Sequence, residues 1–255
     1  EFWTTIFSAR FNVDLKQVLP LGYPKLDFIK NKNAFKNLSK LISRDLSNYK
    51  KIIFYMPTFR KGCGRDDSQG NVNNILNLYP YNEEKLVDFL EKNNYLLCIK
   101  KHPSEELQFP SSIKSDNIIL IDNSKLRTLY FDVYDILDAA DLLITDYSSL
   151  GIEFLYLNKP CIYLNTDVDS YNISRGICYN NYDLWLTDGL NTLDDLLNKI
   201  NEYLYFDNKI PLELEEKRKL WFGNLKNGGC DNICSYFFTD AGKLKVKPYI
   251  NSNRQ

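Results

Sequence analysis

The stretch over 141–160, DLLITDYSSLGIEFLYLNKP, holds the densest set of residues able to do chemistry in this chain. Leu142 to Ile144 read as a buried strand, Asp146 and Tyr147 turn the chain, and Ser148 or Ser149 starts a helix. A helix start leaves free N–H groups and a partial positive charge, which together suit a phosphate. Two adjacent serines add hydroxyl donors at the same place. The plain alternative is that Ser148 is an N-cap worth about 1 kcal/mol. Glu153 follows among Ile152, Phe154 and Leu155. A carboxylate beside a nucleotide site can accept both ribose hydroxyls. The competing reading is a solvent-facing acid near a helix N-terminus.

Four further clusters have the same character. In YMPTFRK, Pro57 ends a strand and Arg60 is presented just beyond it, a planar fork for two phosphate oxygens. IKKHP ends a strand in Lys100, Lys101 and His102, the only histidine of the chain. Pro103 keeps His102 out of helical geometry, at a junction where it can neutralise a phosphate or move a proton. DVDSYNISRGICY places Arg175 and Gly176 in a loop after a strand. Its Asp167 and Asp169 match a short acidic metal pattern that chance produces often, so we assign no metal there. NGGCDNIC, ahead of a helix ending at Phe238, offers another helix N-terminus, either a phosphate contact or an ordinary helix start.

The elements that must position these groups follow from apolar patterning. Strands are expected at 17–21, 51–56, 95–100, 117–121, 142–145 and 161–164. Helices are expected at 82–93, 132–140 and 148–158, with three more in 191–238. Alternating strands and helices, with near-continuous apolar strands, imply an α/β fold: a Rossmann-like parallel sheet with helices on both faces. The polar, Gly- and Asn-rich segment 60–78 follows a strand and so falls at the carboxyl edge, where open α/β sheets bind ligands.

Bulk properties narrow the field. The chain has 255 residues, 44% hydrophobic and 25% charged, with formal net charge −1. No global field recruits nucleic acid or an anionic membrane, so any anion site is local. Six cysteines form no C-x-x-C pair, and Cys98 and Cys161 sit in apolar runs, which favours buried reduced thiols over zinc or disulfides. One histidine excludes a His-rich metal site, and no run of about 18 apolar residues suggests a membrane span. The sequence requires no cofactor and leaves room for Mg²⁺. It starts at Glu1 with Met56 as its only methionine, so an N-terminal part is expected to be missing.

Taken in order, GYP at 22–24, YMPTFRK, KKHP, the block DILDAADLLITDYSSLGIEFLYLNKP, a D-x-x-x-Y…RG pattern and a final NGG resemble the CDP-glycerol glycerophosphotransferases, bacterial enzymes of teichoic-acid and capsule biosynthesis. The likeness runs from 19 to 238, and ITDYSS with the distal KP and RG carries most of it. It departs at Lys25, where Arg is common, and at NGGC, where an acidic-Gly-Lys pattern is usual. The resemblance implies a GT-B architecture with this chain as its C-terminal, donor-binding half. On that basis 1–255 is one nucleotide-donor-binding domain, 1–16 a remnant of a linker or preceding domain, and 240–255 a tail. By matching motifs, Arg60, His102, Ser148, Ser149, Arg175 and Gly176 would contact the diphosphate, with His102 and Arg60 catalytic. Glu153, Pro57 and Thr58 would contact the ribose or base.

The donor would be CDP-glycerol or another CDP-alditol, and CMP would leave. The acceptor, a polymer or lipid-linked, would bind through the missing N-terminal domain. The resemblance also places the protein in the cytoplasm at the inner face of the membrane, with peripheral membrane association through absent parts and no nucleic-acid partner. Two other readings stand beside this one, a nucleotide-sugar glycosyltransferase of GT-B architecture and a non-catalytic nucleotide-binding module. A flavodoxin-like receiver would need an acidic pocket, whereas this sheet edge is basic.

Overall fold

A computed structural model of the chain describes residues 2–58, 76, 78–100, 115–164, 166, 168–175, 190–205, 210–223 and 228–238, apart from the side chains of Phe2, Trp3, Ser170, Ser174 and Arg175. Two compact units arise from it, one formed by 1–28 with 224–255 and the other by 29–223.

The larger unit is built on five parallel strands: β1 (Lys51–Tyr55), β2 (Tyr95–Ile99), β3 (Ile118–Leu120), β4 (Leu142–Thr145) and β5 (Cys161–Tyr163). Their order is β3-β2-β1-β4-β5. β1, β2, β4 and β5 are buried almost throughout, as strands covered on both faces must be. All five coincide with expected strands, β4 without change and the others shorter by one or two residues. Cys98 and Cys161 are buried and in no disulfide, as expected, while Cys63 and Cys178 lie outside the described residues. Desolvation pushes the Cys98 thiol pKa well up, so it is inert there.

Eleven helices are described: α1 (Phe2–Phe11), α2 (Leu26–Ile29), α3 (Ala34–Ile42), α4 (Glu83–Asn93), α5 (Asn123–Thr128), α6 (Tyr134–Leu137), α7 (Ser149–Leu155), α8 (Val168–Arg175), α9 (Leu193–Tyr205), α10 (Leu212–Phe222) and α11 (Cys230–Phe237). The β1-α4-β2 crossover moves one way across the sheet and β4-α7-β5 moves the other. Right-handed crossovers therefore put α4 and α7 on opposite faces. Accordingly α4 packs with β2 and α9, whereas α7 packs with β4, β5 and α10. Asn82 caps α4 by accepting from Lys85 N–H at 3.0 Å, and Glu83 and Glu84 complement the N-terminal dipole.

Several expectations need correction. Residues 17–21 are not a strand. Asp14 starts a 3-10 turn, Leu15–Gln17, through a reciprocal capping box. Beyond it, Pro20 sits in a tight turn closed by Leu21 N–H on Leu19 O at 2.8 Å. The helix expected at 132–140 shrinks to the single turn α6. Its Asp135 is held from outside, with Asn37 Nδ2 donating to Asp135 O at 3.0 Å and Asn31 Nδ2 to Asp135 Oδ1 at 3.4 Å. The loop expected after β5 contains α8 instead, which ends at Arg175. Helix α3 went unforeseen although its buried Ala34, Leu38 and Leu41 follow helical spacing. The three helices expected in 191–238 are α9, α10 and α11.

Two parts of the DILDAADLLITDYSS…NKP block act in architecture. Ile52 N–H donates to Asp141 Oδ2 at 2.8 Å and Asp141 N–H to Ile52 O at 2.8 Å, which joins the start of β4 to β1. Lys159 Nζ meets Asp138 Oδ1 at 2.8 Å, tying the segment before β5 to the one before β4. Among the described residues no helix is long and apolar enough to cross a membrane.

Candidate functional site

With β1 and β4 as neighbours, the connections leave in opposite directions between them. The carboxyl ends of these two strands therefore form a switch point, the kind of place where open α/β sheets bind ligands. The two flanking segments are Met56-Pro57-Thr58 and Asp146-Tyr147-Ser148-Ser149. Sequence reasoning singled out both, and the fold brings them together.

Their contacts are direct. Thr145 Oγ1, fully buried, donates to Met56 O at 2.6 Å, and Met56 N–H donates to Ile144 O at 3.0 Å. Thr58 N–H donates to Asp146 Oδ1 at 2.8 Å and Thr58 Oγ1 to Asp146 Oδ2 at 2.9 Å. Thr58 thus has its amide and hydroxyl protons committed within the protein, leaving hydroxyl lone pairs for a ligand. Pro57 is half-buried between these anchors.

Ser148 is the N-cap of α7, with extended backbone and its Oγ accepting from Leu150 N–H at 3.3 Å. The neighbouring Ser149 is exposed. Capping therefore falls to Ser148, and Ser149 stays open at the surface. Helix α7 sits close to the sheet because residue 151 is glycine. A Cβ there would come within 2.6 Å of Tyr163 Cε1 and 2.9 Å of Thr145 Cγ2, both on buried side chains. Any larger residue would lift the helix, and Ser148 and Ser149 with it.

Glu153 does not face solvent. It is 3% exposed and accepts from Tyr134 Oη of α6 at 2.5 Å. The solvent-facing reading of this acid is overturned: the apolar neighbours in α7 share its buried surroundings, and the phenol supplies the partner that a buried carboxylate needs. Tyr147 stacks on Tyr171 of α8, with centroids 4.0 Å apart and planes 18° apart. This contact holds α8 to the loop after β4. Arg175 is the last residue of that helix rather than part of a loop.

Lys100 is half-buried at the end of β2, its N–H donating to Tyr55 O at 2.9 Å. Desolvation lowers its ammonium pKa, so a nearby anion would relieve a real cost. Arg60, His102, Gly176 and Asp167 lie outside the described residues. Asp169 is exposed in the first turn of α8.

The other helix start singled out from sequence, at NGGC, has its own anion. Asp27 Oδ1 accepts from Gly228 N–H at 2.6 Å and Asp27 Oδ2 from Cys230 N–H at 2.8 Å. Those bonds hold the Asp27 carboxyl below its ordinary pKa, the one from Cys230 N–H first. Tyr23 N–H donates to Gly228 O, and Gly22 (φ +102°) and Gly229 (φ +132°) adopt backbones that favour glycine. A Cβ on Gly228 would fall 2.3 Å from Asp27 N. GYP and NGG are thus two halves of one latch, and its amides are already occupied.

Asp146, Thr145 and Tyr134 are residues to which sequence reasoning gave no ligand-binding part. The polar ending of an apolar strand, LLITD, was the legible signal for the first two.

Comparison with known proteins places this geometry. The chain is 35% identical over 181 residues to the teichoic acid glycerol-phosphate primase of Bacillus subtilis, covering 71% of this chain and 42% of that protein. It is 29% identical to the teichoic acid poly(ribitol-phosphate) polymerase of Bacillus spizizenii, covering 78% of this chain and 30% of that one. The chain therefore spans less than half the length of these relatives. Among solved structures, the wall teichoic acid polymerase TagF superposes with a TM-score of 0.61 at 20% identity, covering 90% of this chain and 53% of that one. That likeness supports the Rossmann-like α/β fold class expected from the sequence. The family described as CDP-glycerol:poly(glycerophosphate) glycerophosphotransferase matches residues 1–232, and the chain belongs to it.

Proposed function

We propose that this chain is the donor-binding half of a transferase that moves glycerol phosphate, or a related polyol phosphate, from a CDP-linked donor to a growing teichoic-acid-like or capsular polymer. The observation that carries the reading is the meeting of YMPT and TDYSS at the strand switch point, where open parallel sheets commonly take nucleotides. The names of the relatives agree with it, since they are primases and polymerases of glycerol or ribitol phosphate. A TagF crystal soaked with CDPG shares this fold, at 22% identity and a TM-score of 0.58.

In this reading the diphosphate lies across Ser149, the N-cap Ser148 and the cations Arg60, His102 and Arg175, close to Gly176. Pro57, Thr58 and Glu153 border the ribose or base. An acceptor hydroxyl forms a bond to the β-phosphorus, the bond from that phosphorus to the bridging oxygen breaks, and CMP leaves with the electron pair. We give His102 the hydroxyl proton and Arg60 the charge that develops on the transferred group. Such chemistry rests on positioning and charge stabilisation, which these side-chain types supply. The acceptor would be held by a partner domain, at the cytoplasmic face of the membrane.

Titration calorimetry tests the donor. CDP-glycerol is expected to bind the chain, and the Ser148→Ala, Ser149→Ala double variant to bind it more weakly. Preference for a UDP-sugar would favour a glycosyltransferase instead. Binding of CDP-glycerol without CMP release by the full-length protein would leave a nucleotide-binding module.

A further inference from the structure

Asp146 has no ligand-binding part in the function proposed above, yet it is 2% exposed and both of its oxygens accept from one residue of the opposite loop. Two parallel bonds to one carboxylate fix orientation as well as distance. The preceding residue adds a third tie, Thr145 Oγ1 to Met56 O. Between the anchored Met56 and Thr58 stands Pro57, whose ring fixes φ and which has no N–H to bond elsewhere. The short path from β1 to Thr58 is thus pinned at both ends and stiff in the middle. On the other side, Asp146 is only two residues from the cap of α7. One carboxylate therefore sets the spacing between the segment that leads into Arg60 and the segment that carries Ser148 and Ser149.

We propose that Asp146 is a positioning residue: clamped to Thr58, it holds the two loops of the switch point at the separation a donor diphosphate requires. The proposal rests on the functional reading above and goes beyond it, because it assigns the affinity for donor to a residue that touches no ligand. It differs from the obvious alternatives for a buried acid beside a phosphate site, a general base or a metal ligand, in needing two acceptor-or-donor atoms of the right shape rather than a negative charge. Asparagine meets that need in part. Its Oδ1 accepts from Thr58 N–H while its Nδ2 donates to the Thr58 hydroxyl oxygen.

The test measures CDP-glycerol binding by calorimetry on the full chain, together with hydrogen exchange at the Thr58 amide and a thermal melt for each variant. Asp146→Ala is expected to weaken binding by about tenfold or more, as loss of bonds to a charged group does, and to speed exchange at Thr58. Asp146→Asn is expected to recover part of both. Thr58→Val keeps the amide bond and loses the hydroxyl bond, so it should weaken binding by about threefold. Unchanged affinity in a folded Asp146→Ala overturns the proposal. So does an Asp146→Asn no better than alanine, since charge would then be the requirement. Should Asp146→Ala fail to fold, Thr58→Val decides, and unchanged affinity there overturns the proposal as well. Failure of the unaltered chain to bind CDP-glycerol overturns the functional reading and the donor-positioning role together. Slow Thr58 exchange in that chain would then separate an intact clamp from a wrong substrate.

Discussion

Two places in this molecule carry the same local signature, a helix that starts after small polar residues. At α11 Asp27 accepts from the first helical N–H, of Cys230, and from Gly228 N–H just ahead of it, so the helix start is a latch that closes the smaller unit on itself. At α7 the cap is the neutral Ser148, and the next residue, Ser149, is exposed. The difference lies in charge. A helix start that already holds a carboxylate gains nothing from a phosphate, whereas one capped by a hydroxyl keeps its partial positive charge for a ligand. Helix starts are therefore assigned by what caps them, the adjacent Ser148 at α7 and the sequence-distant Asp27 at α11.

The comparison is broken most sharply through the cations proposed for the donor site. Arg60→Ala and His102→Ala should each cut CMP release by the full-length enzyme by at least about 10²-fold, the scale of losing one group that stabilises transition-state charge. A rate equal to wild type for either would remove that residue from the site and weaken the contrast with α11.

Asp27→Ala should cost about 1–2 kcal/mol of stability, the upper range for loss of a helix cap, with no change in CDP-glycerol affinity. Its pKa is lowered in the folded chain, so its contribution is fully present above the ordinary carboxylate value of about 4 and disappears as pH falls through the lower folded value. Denaturant melts between neutral pH and pH 2 would show the wild type losing this increment and the variant lacking it throughout. Reduced donor affinity in the variant would mean that the latch belongs to the ligand site.

The smallest expected effect is at Lys100. Its pKa is lowered by desolvation, so the unfolded chain binds the proton more tightly, and this group makes stability rise with pH between the folded and unfolded values. Lys100→Met removes a half-buried charge and should raise stability by about 0.5 kcal/mol, a shift of about 1–2 °C in Tm. The same change should weaken CDP-glycerol binding. Greater stability with unaltered binding would make Lys100 a bystander at the sheet edge.

Parts of the fold were open to reading without coordinates because their causes are local. Each strand of the sheet is an apolar run bounded by polar turns, and α4 announces itself by Asn82, two glutamates and the spacing of Leu86 and Leu90. The one-turn helix α6 was overestimated because tertiary contacts at Asp135 stop what the local pattern would continue. Helix α8 was missed because its residues favour turns, while the Tyr147–Tyr171 stack supplies support from outside the segment.

The amino-acid order alone determined the strands of the sheet, the parallel α/β class and the family likeness, since hydrophobic period and motif spacing act over a few residues. The fold decided which polar groups meet: Asp27 with Gly228 across 201 positions, Thr58 with Asp146 across 88, Tyr134 with Glu153 across 19. Those pairings follow from strand order and helix packing. A hydrogen bond needs its partners within about 3 Å in space, and separation along the chain does not specify that distance.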